Sequence, residues 1–208
     1  MKLYHCYNAR SFRALWAIEE LGLDCELVVL RFPPRVHEKS YLGENPLGTV
    51  PLLVDGETRM TESAAICEYL GRLYGDGDLV VSSHEPGYGA YLNGLHQGEA
   101  TLTFPQALIL RYRYFEAAER RQPQVAEDYT RWFLGRLRGL VEPLAQEDYV
   151  AAGRFTMADV SIGYALFLGR EIGLSSEYPE PVAAYLDRLT ARPAFRRAQD
   201  RQGSGSLF

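Results

Sequence analysis

What most limits the folds open to this chain is a change of pattern at Gly75-Asp76-Gly77-Asp78. Before it, short β-branched or apolar runs alternate with amphipathic stretches; after it no strand signal recurs and the apolar residues keep a helical spacing. Any sheet must therefore be completed before Gly75. Residues 2–6 read as a strand. Ser11 to Leu21 sets Phe12, Leu15, Trp16, Ile18 and Leu21 on one helical face, and Gly22 stops it. Glu26 to Leu30 is a second strand, and the polar stretch from Arg31 to Leu47 has room for one short helix. Val50 to Val54, the turn Asp55-Gly56 and Glu57 to Met60 form a hairpin, and Glu62 to Tyr74 forms a helix with Ala65, Ile66, Tyr69, Leu70 and Leu73 on one side. A crossover joins parallel strands while a hairpin adds antiparallel ones, so the order predicts an α/β domain, βαβ then ββα, with a mixed four-stranded sheet.

The division expected from this pattern is a first domain over residues 1–77, a linker at 78–86 rich in turn residues, and an all-α helical bundle over 87–208. Helices are predicted at Tyr91–Ala118, Gln124–Gln146, Met157–Glu171, Val182–Thr190 and Ala194–Asp200, with Gly203 to Ser206 as a frayed tail. Thr156 and Asp159 stand as a capping pair, flanked by Phe155 and Val160 as a hydrophobic staple.

Composition removes several function classes. A net charge of −5 over 208 residues argues against nucleic-acid binding, which depends on clustered Lys and Arg. Cys6, Cys25 and Cys67 make neither a disulfide framework nor a metal site. No apolar run approaches the roughly 20 residues that span a bilayer, and the start lacks the apolar core of a signal peptide. The expectation is a cytoplasmic protein with no membrane, nucleic-acid or metal partner.

Four segments, in order, resemble the soluble glutathione transferases of bacterial type: Asn8-Ala9-Arg10-Ser11-Phe12-Arg13-Ala14-Leu15-Trp16 before Glu19-Glu20-Leu21-Gly22; Asn45-Pro46-Leu47-Gly48-Thr49-Val50-Pro51; Thr61-Glu62-Ser63-Ala64-Ala65-Ile66; and Gly153-Arg154-Phe155-Thr156-Met157-Ala158-Asp159-Val160. The resemblance implies a thioredoxin-like first domain that binds glutathione as co-substrate, and a homodimer. It implies a cis bond before Pro51, at a cost of ~0.5–1 kcal/mol, that presents the backbone of Val50 to the cysteinyl part of the tripeptide. Ser63, at a helix N-terminus, would take the γ-glutamyl carboxylate, and Glu62 would help to hold the amino group.

The chemistry implied is activation of the glutathione thiol, ordinarily with a pKa near ~8.5, by a hydroxyl or amide donor beside a helix N-terminus. Ser11 is the first candidate, Asn8 the second and Tyr4 the third, and Arg10 stands ready to assist electrostatically. Ser11 is equally a natural helix cap. His37 or Lys39 is the candidate for the glycyl carboxylate. A second-substrate pocket, expected between the domains, draws on Phe104, Arg111 and Tyr112. The implied function is conjugation of glutathione to a small hydrophobic electrophile. The alternatives are a specialised aryl-ether-cleaving enzyme, isomerase or dehalogenase, or a non-catalytic glutathione-binding protein.

Overall fold

The alternating and β-branched runs before Gly75 form four strands and three helices. The computed structural model describes residues 1–205, and in it the strands are β1 (Lys2–His5), β2 (Glu26–Val29), β3 (Leu52–Asp55) and β4 (Thr58–Met60). They lie in the order β2-β1-β3-β4, with β1 parallel to β2 and the other neighbours antiparallel. Leu3 sits opposite the half-buried Leu27 on one side and Leu53 on the other, and Leu3 and Leu53 are fully buried in the middle of the sheet. Successive strand residues point to opposite faces. Leu3 and His5 are buried on one face, whereas Tyr4 joins the cluster of Cys6, Ala9, Tyr41, Val50 and Leu52.

Helix α1 (Phe12–Leu21) packs against α3 (Ser63–Tyr74), and Gly22 closes α1 in the left-handed region that glycine tolerates. Between β2 and β3 the chain makes α2 (Pro34–His37) and a tight turn of helix at Lys39–Gly43, one helical piece more than the sequence suggests.

Two units result: Met1–Gly77 together with the described residues from Ala191 onward, and Asp78–Thr190. The last helix, which the sequence pattern groups with the helical half, thus belongs to the first unit. We label it α10 (Pro193–Gln202). It is held on α1 by Phe195, whose ring meets Phe12 at 5.3 Å and Trp16 at 4.9 Å, both edge to face. Arg192 grips Glu20 through two nitrogens at 2.7 and 2.8 Å, and Arg197 and Arg201 both reach Glu19. Of the tail expected to fray, Gly205 lies against the Tyr7 ring, where a Cβ would meet Cγ at 2.8 Å; Ser206 lies outside the described residues.

The second unit contains α4 (Tyr88–His96), α5 (Phe104–Leu110), α6 (Pro123–Arg136), α7 (Arg138–Gln146), α8 (Met157–Glu171) and α9 (Glu180–Thr190). The long helix expected from Tyr91 is one helical stretch through α4 and α5, with wider π turns at Gln97–Thr103 and Arg111–Phe115. Side-chain hydroxyls supply bonds at the first of them: Ser161 donates to Leu95 O at 2.7 Å and Thr103 to Gly98 O at 2.7 Å. Gly98 lies directly on α8, and a Cβ there would stand 2.4 Å from Ser161 Oγ and 2.5 Å from its backbone. Gly98→Ala is therefore expected to cost about 2–3 kcal/mol through overpacking, read as a lower urea midpoint at unchanged slope. The helix predicted over Gln124–Gln146 divides at Leu137, whose N–H bonds only three residues back, to Leu134 O.

Candidate functional site

The register of the sheet gathers the first unit's chemistry at one end. Tyr4 lies opposite Leu52, so the loop leaving β1 and the Val50-Pro51 segment entering β3 start from the same edge. Met60 lies opposite Leu53, so β4 also runs towards that edge and hands the chain to α3 there. β2, parallel to β1, ends there too and releases the segment that carries His37 and Lys39.

The Val50-Pro51 bond is cis. Tyr41 OH and Asn45 Nδ2 both donate to Thr49 O, at 2.7 and 2.8 Å, and Asn45 Oδ1 accepts the N–H of Leu47 at 3.1 Å. Gly48 has φ +60, and a Cβ on it would lie 2.6 Å from Arg35 Cβ. With the turn pinned from this side, neither the N–H nor the C=O of Val50 has a hydrogen-bond partner among the described residues. Such a residue offers one rung of an antiparallel ladder to an extended peptide. Tyr41 and Asn45 were not singled out in the sequence; the Asn-Pro pair at 45–46 was the available signal.

Ser63 opens α3 and is 3% exposed. Its Oγ accepts a bond from Arg13 Nη1 at 3.2 Å, leaving the hydroxyl proton for another partner. Arg13 is wholly buried in the first turn of α1. The contact brings the starts of α1 and α3 together, so two helix N-termini and a guanidinium concentrate positive potential. Arg13 is a further residue the sequence reading passed over. Glu62, one residue before α3, is exposed, as are His37 and Lys39; Arg10 is half-buried.

Ser11 and Asn8 stand in one buried network with His5 and Gln202, and a single group sets its direction. The backbone N–H of Asn8 can only donate, and it does so to Gln202 Oε1 at 3.0 Å. His5 Nε2, 3.1 Å from the same oxygen, must then carry a proton, which leaves Nδ1 to accept the Ser11 hydroxyl at 2.8 Å. Ser11 Oγ itself accepts the N–H of Cys6 at 3.2 Å. The one proton of Ser11 is thus committed to His5, its side chain is fully buried, and it makes no capping bond to α1. Burial holds the His5 imidazolium pKa down at about 4. Asn8 has φ +50, tolerable for asparagine, and its Oδ1 accepts Gln202 Nε2 at 2.8 Å. Tyr4 packs on the Tyr41 ring at 5.1 Å on the other face of the sheet. Cys6 and Cys67 are buried, and burial pushes both thiols up to about 12, so neither is a thiolate at neutral pH.

In the second unit Phe104 is 53% exposed. Arg111 pairs with Glu116 at 2.9 Å and lies over the Tyr112 ring at 5.5 Å. Tyr112 also lines a cleft of about 190 Å³ with Arg113, Arg121, Pro123, Ala126 and Glu127. Among the described residues no cluster of three His, Cys, Asp or Glu side chains is placed to hold a metal ion, and no helix is long and apolar enough to cross a membrane.

Residues 1–72 match the family described as glutathione S-transferase, N-terminal domain. Glutathione S-transferase 4 of Zea mays is 31% identical, over 88% of this chain and 83% of its own. Glutathione S-transferase GstA of Escherichia coli O157:H7 is 28% identical, over 98% of this chain and 99% of its own. Among solved structures, a sphingomonad glutathione S-transferase complexed with glutathione superposes with a TM-score of 0.85 at 24% identity, over 99% of this chain and 100% of that one. The fold is that of a glutathione S-transferase: a thioredoxin-like unit with a mixed four-stranded sheet, then an all-helical unit. The chain belongs to the glutathione S-transferase family.

Proposed function

We propose that the protein binds glutathione at the end of the sheet where α1 and α3 begin and transfers it, as thiolate, to a small hydrophobic electrophile. The observation that carries this is the convergence of two helix N-termini and a buried guanidinium with the unpartnered backbone of Val50. In this reading the cysteinyl unit pairs with Val50 beside Pro51. The γ-glutamyl carboxylate takes the hydroxyl and N–H of Ser63, and Glu62 faces the amino group. His37 or Lys39 meets the glycyl carboxylate. Because the proton of Ser11 is committed to His5, the side-chain donor to sulfur is Asn8, aided by the positive start of α1 and by Arg10. Phe104, Arg111 and Tyr112 serve the electrophile, and the enzyme acts as a cytoplasmic homodimer.

Calorimetry is expected to show glutathione binding, weakened about tenfold or more by Ser63→Ala, since a hydrogen bond to a charged group contributes about 1.5–3 kcal/mol. Asn8→Ala is expected to raise the pKa of the bound thiol and to lower turnover of a chlorinated nitroaromatic by about tenfold or more at neutral pH. Absence of glutathione uptake by the wild type at millimolar concentration would remove the basis of the reading.

A further inference from the structure

Helix α10 is the last helix among the described residues, yet its final residue reaches the loop that follows β1 near the start of the sequence. Gln202 is 5% exposed and makes three hydrogen bonds there: it accepts from Asn8 N–H at 3.0 Å and His5 Nε2 at 3.1 Å, and donates to Asn8 Oδ1 at 2.8 Å. Phe195 and the ion pairs of Arg192, Arg197 and Arg201 with Glu19 and Glu20 also seat α10, independently of these bonds. The anchored helix delivers one amide, in one orientation, to a residue whose φ is positive.

We propose that Gln202 is a positioning residue, which sets the direction of the donors that the loop after β1 offers to the glutathione sulfur. By donating to Asn8 Oδ1 it fixes which end of the Asn8 amide is oxygen, and so turns the amide nitrogen away from α10. By accepting from His5 it fixes the tautomer that takes the Ser11 proton. One side chain from the last helix thereby assigns the roles of both: Ser11 holds the loop, and Asn8 is the donor. This rests on the functional reading above and names the part that tunes it.

The test is Gln202→Glu. One carboxylate oxygen still accepts from Asn8 N–H and His5, but the other cannot donate to Asn8 Oδ1. The Asn8 amide must turn its nitrogen towards residue 202, and its oxygen then lies where the sulfur anion needs a donor. The thiol of bound glutathione, titrated by thiolate absorbance, is expected to rise by about one pH unit or more. The kcat at neutral pH is expected to fall about tenfold, while KM for glutathione stays within about twofold because the Val50 and Ser63 contacts are untouched. Gln202→Met, of similar volume and without either bond, is expected to shift the thiol in the same direction by less. Variants that titrate like the wild type overturn the proposal. So does loss of fold in both, which would make Gln202 a structural prop only. Wild-type protein that binds glutathione without any thiolate band would defeat the functional reading first, and this inference with it.

Discussion

Asp159→Ala is expected to destabilise the Asp78–Thr190 unit by about 4 kcal/mol, a large loss for one substitution. The Asp159 carboxylate is fully buried and receives four hydrogen bonds: from the N–H and hydroxyl of Thr156 at 2.8 and 3.0 Å, from Val150 N–H at 3.1 Å and from Tyr185 OH at 2.8 Å. Alanine leaves these donors without an acceptor, and each buried unsatisfied group costs about 1–3 kcal/mol, partly recovered by relaxation and water entry. Urea unfolding of the variant checks the figure. Tyr185→Phe removes one donor and keeps the acceptor, so its cost is expected to be about 1 kcal/mol. Burial outweighs the four bonds and raises the Asp159 pKa above 3.8. The stability owed to its titration is therefore complete below that value and declines as pH rises through the folded one. Every residue assigned to glutathione lies in the other unit, so Asp159→Ala protein that remains folded is expected to bind the tripeptide normally.

The same residue shows how far the sequence could be read. Thr156 and Asp159 were legible as a capping pair because both partners lie within one turn, and α8 begins and ends where its apolar run does. That Tyr185 and Val150 also spend their hydrogens on Asp159 was not legible, since no local period links them. Distance defeats pattern again at α10. Its arginines look like a solvated charged face until Glu19 and Glu20, 172 or more positions away, are seen to receive them. The hairpin and the start of α3 were readable from turn chemistry and cap residues, whereas the cis turn at Val50-Pro51 was readable only through the family resemblance of its flanking segments. What holds the turn, Tyr41 and Asn45 on Thr49 O, depends on a packed loop with no regular spacing. Ser11 invited a reading as cap or donor from its place before α1; its hydroxyl instead turns back to His5. The signal was a histidine at an inward strand position, a buried polar ring that needs two partners.

That ring carries the second large effect. Between pH 6.5 and 4 the wild type is expected to lose about 3 kcal/mol of stability through His5 alone. The folded pKa is depressed to about 4 from 6.5, with burial the leading cause; Ser11 and Gln202 face the ring, and no charged group contributes to the shift. Above 6.5 the imidazole is neutral folded or unfolded, and its contribution is intact. As pH falls the unfolded chain takes up the proton while the buried ring does not, so stability drains away at up to about 1.4 kcal/mol per pH unit until the folded ring also titrates. His5→Gln abolishes the titrating group, and the difference between the two denaturation series across this window isolates the effect; parallel curves would refute it. Protonation has a second consequence at the site. An imidazolium donates from both nitrogens, so Nδ1 can no longer accept from Ser11, and that hydroxyl must release its proton elsewhere or rotate. The order of donors running from Gln202 through His5 to Ser11 is then broken from within. Acid should therefore disturb this order of hydrogen bonds only near pH 4 and below, where the folded ring itself titrates and most of the stability owed to His5 is already lost, and His5→Gln should abolish both effects.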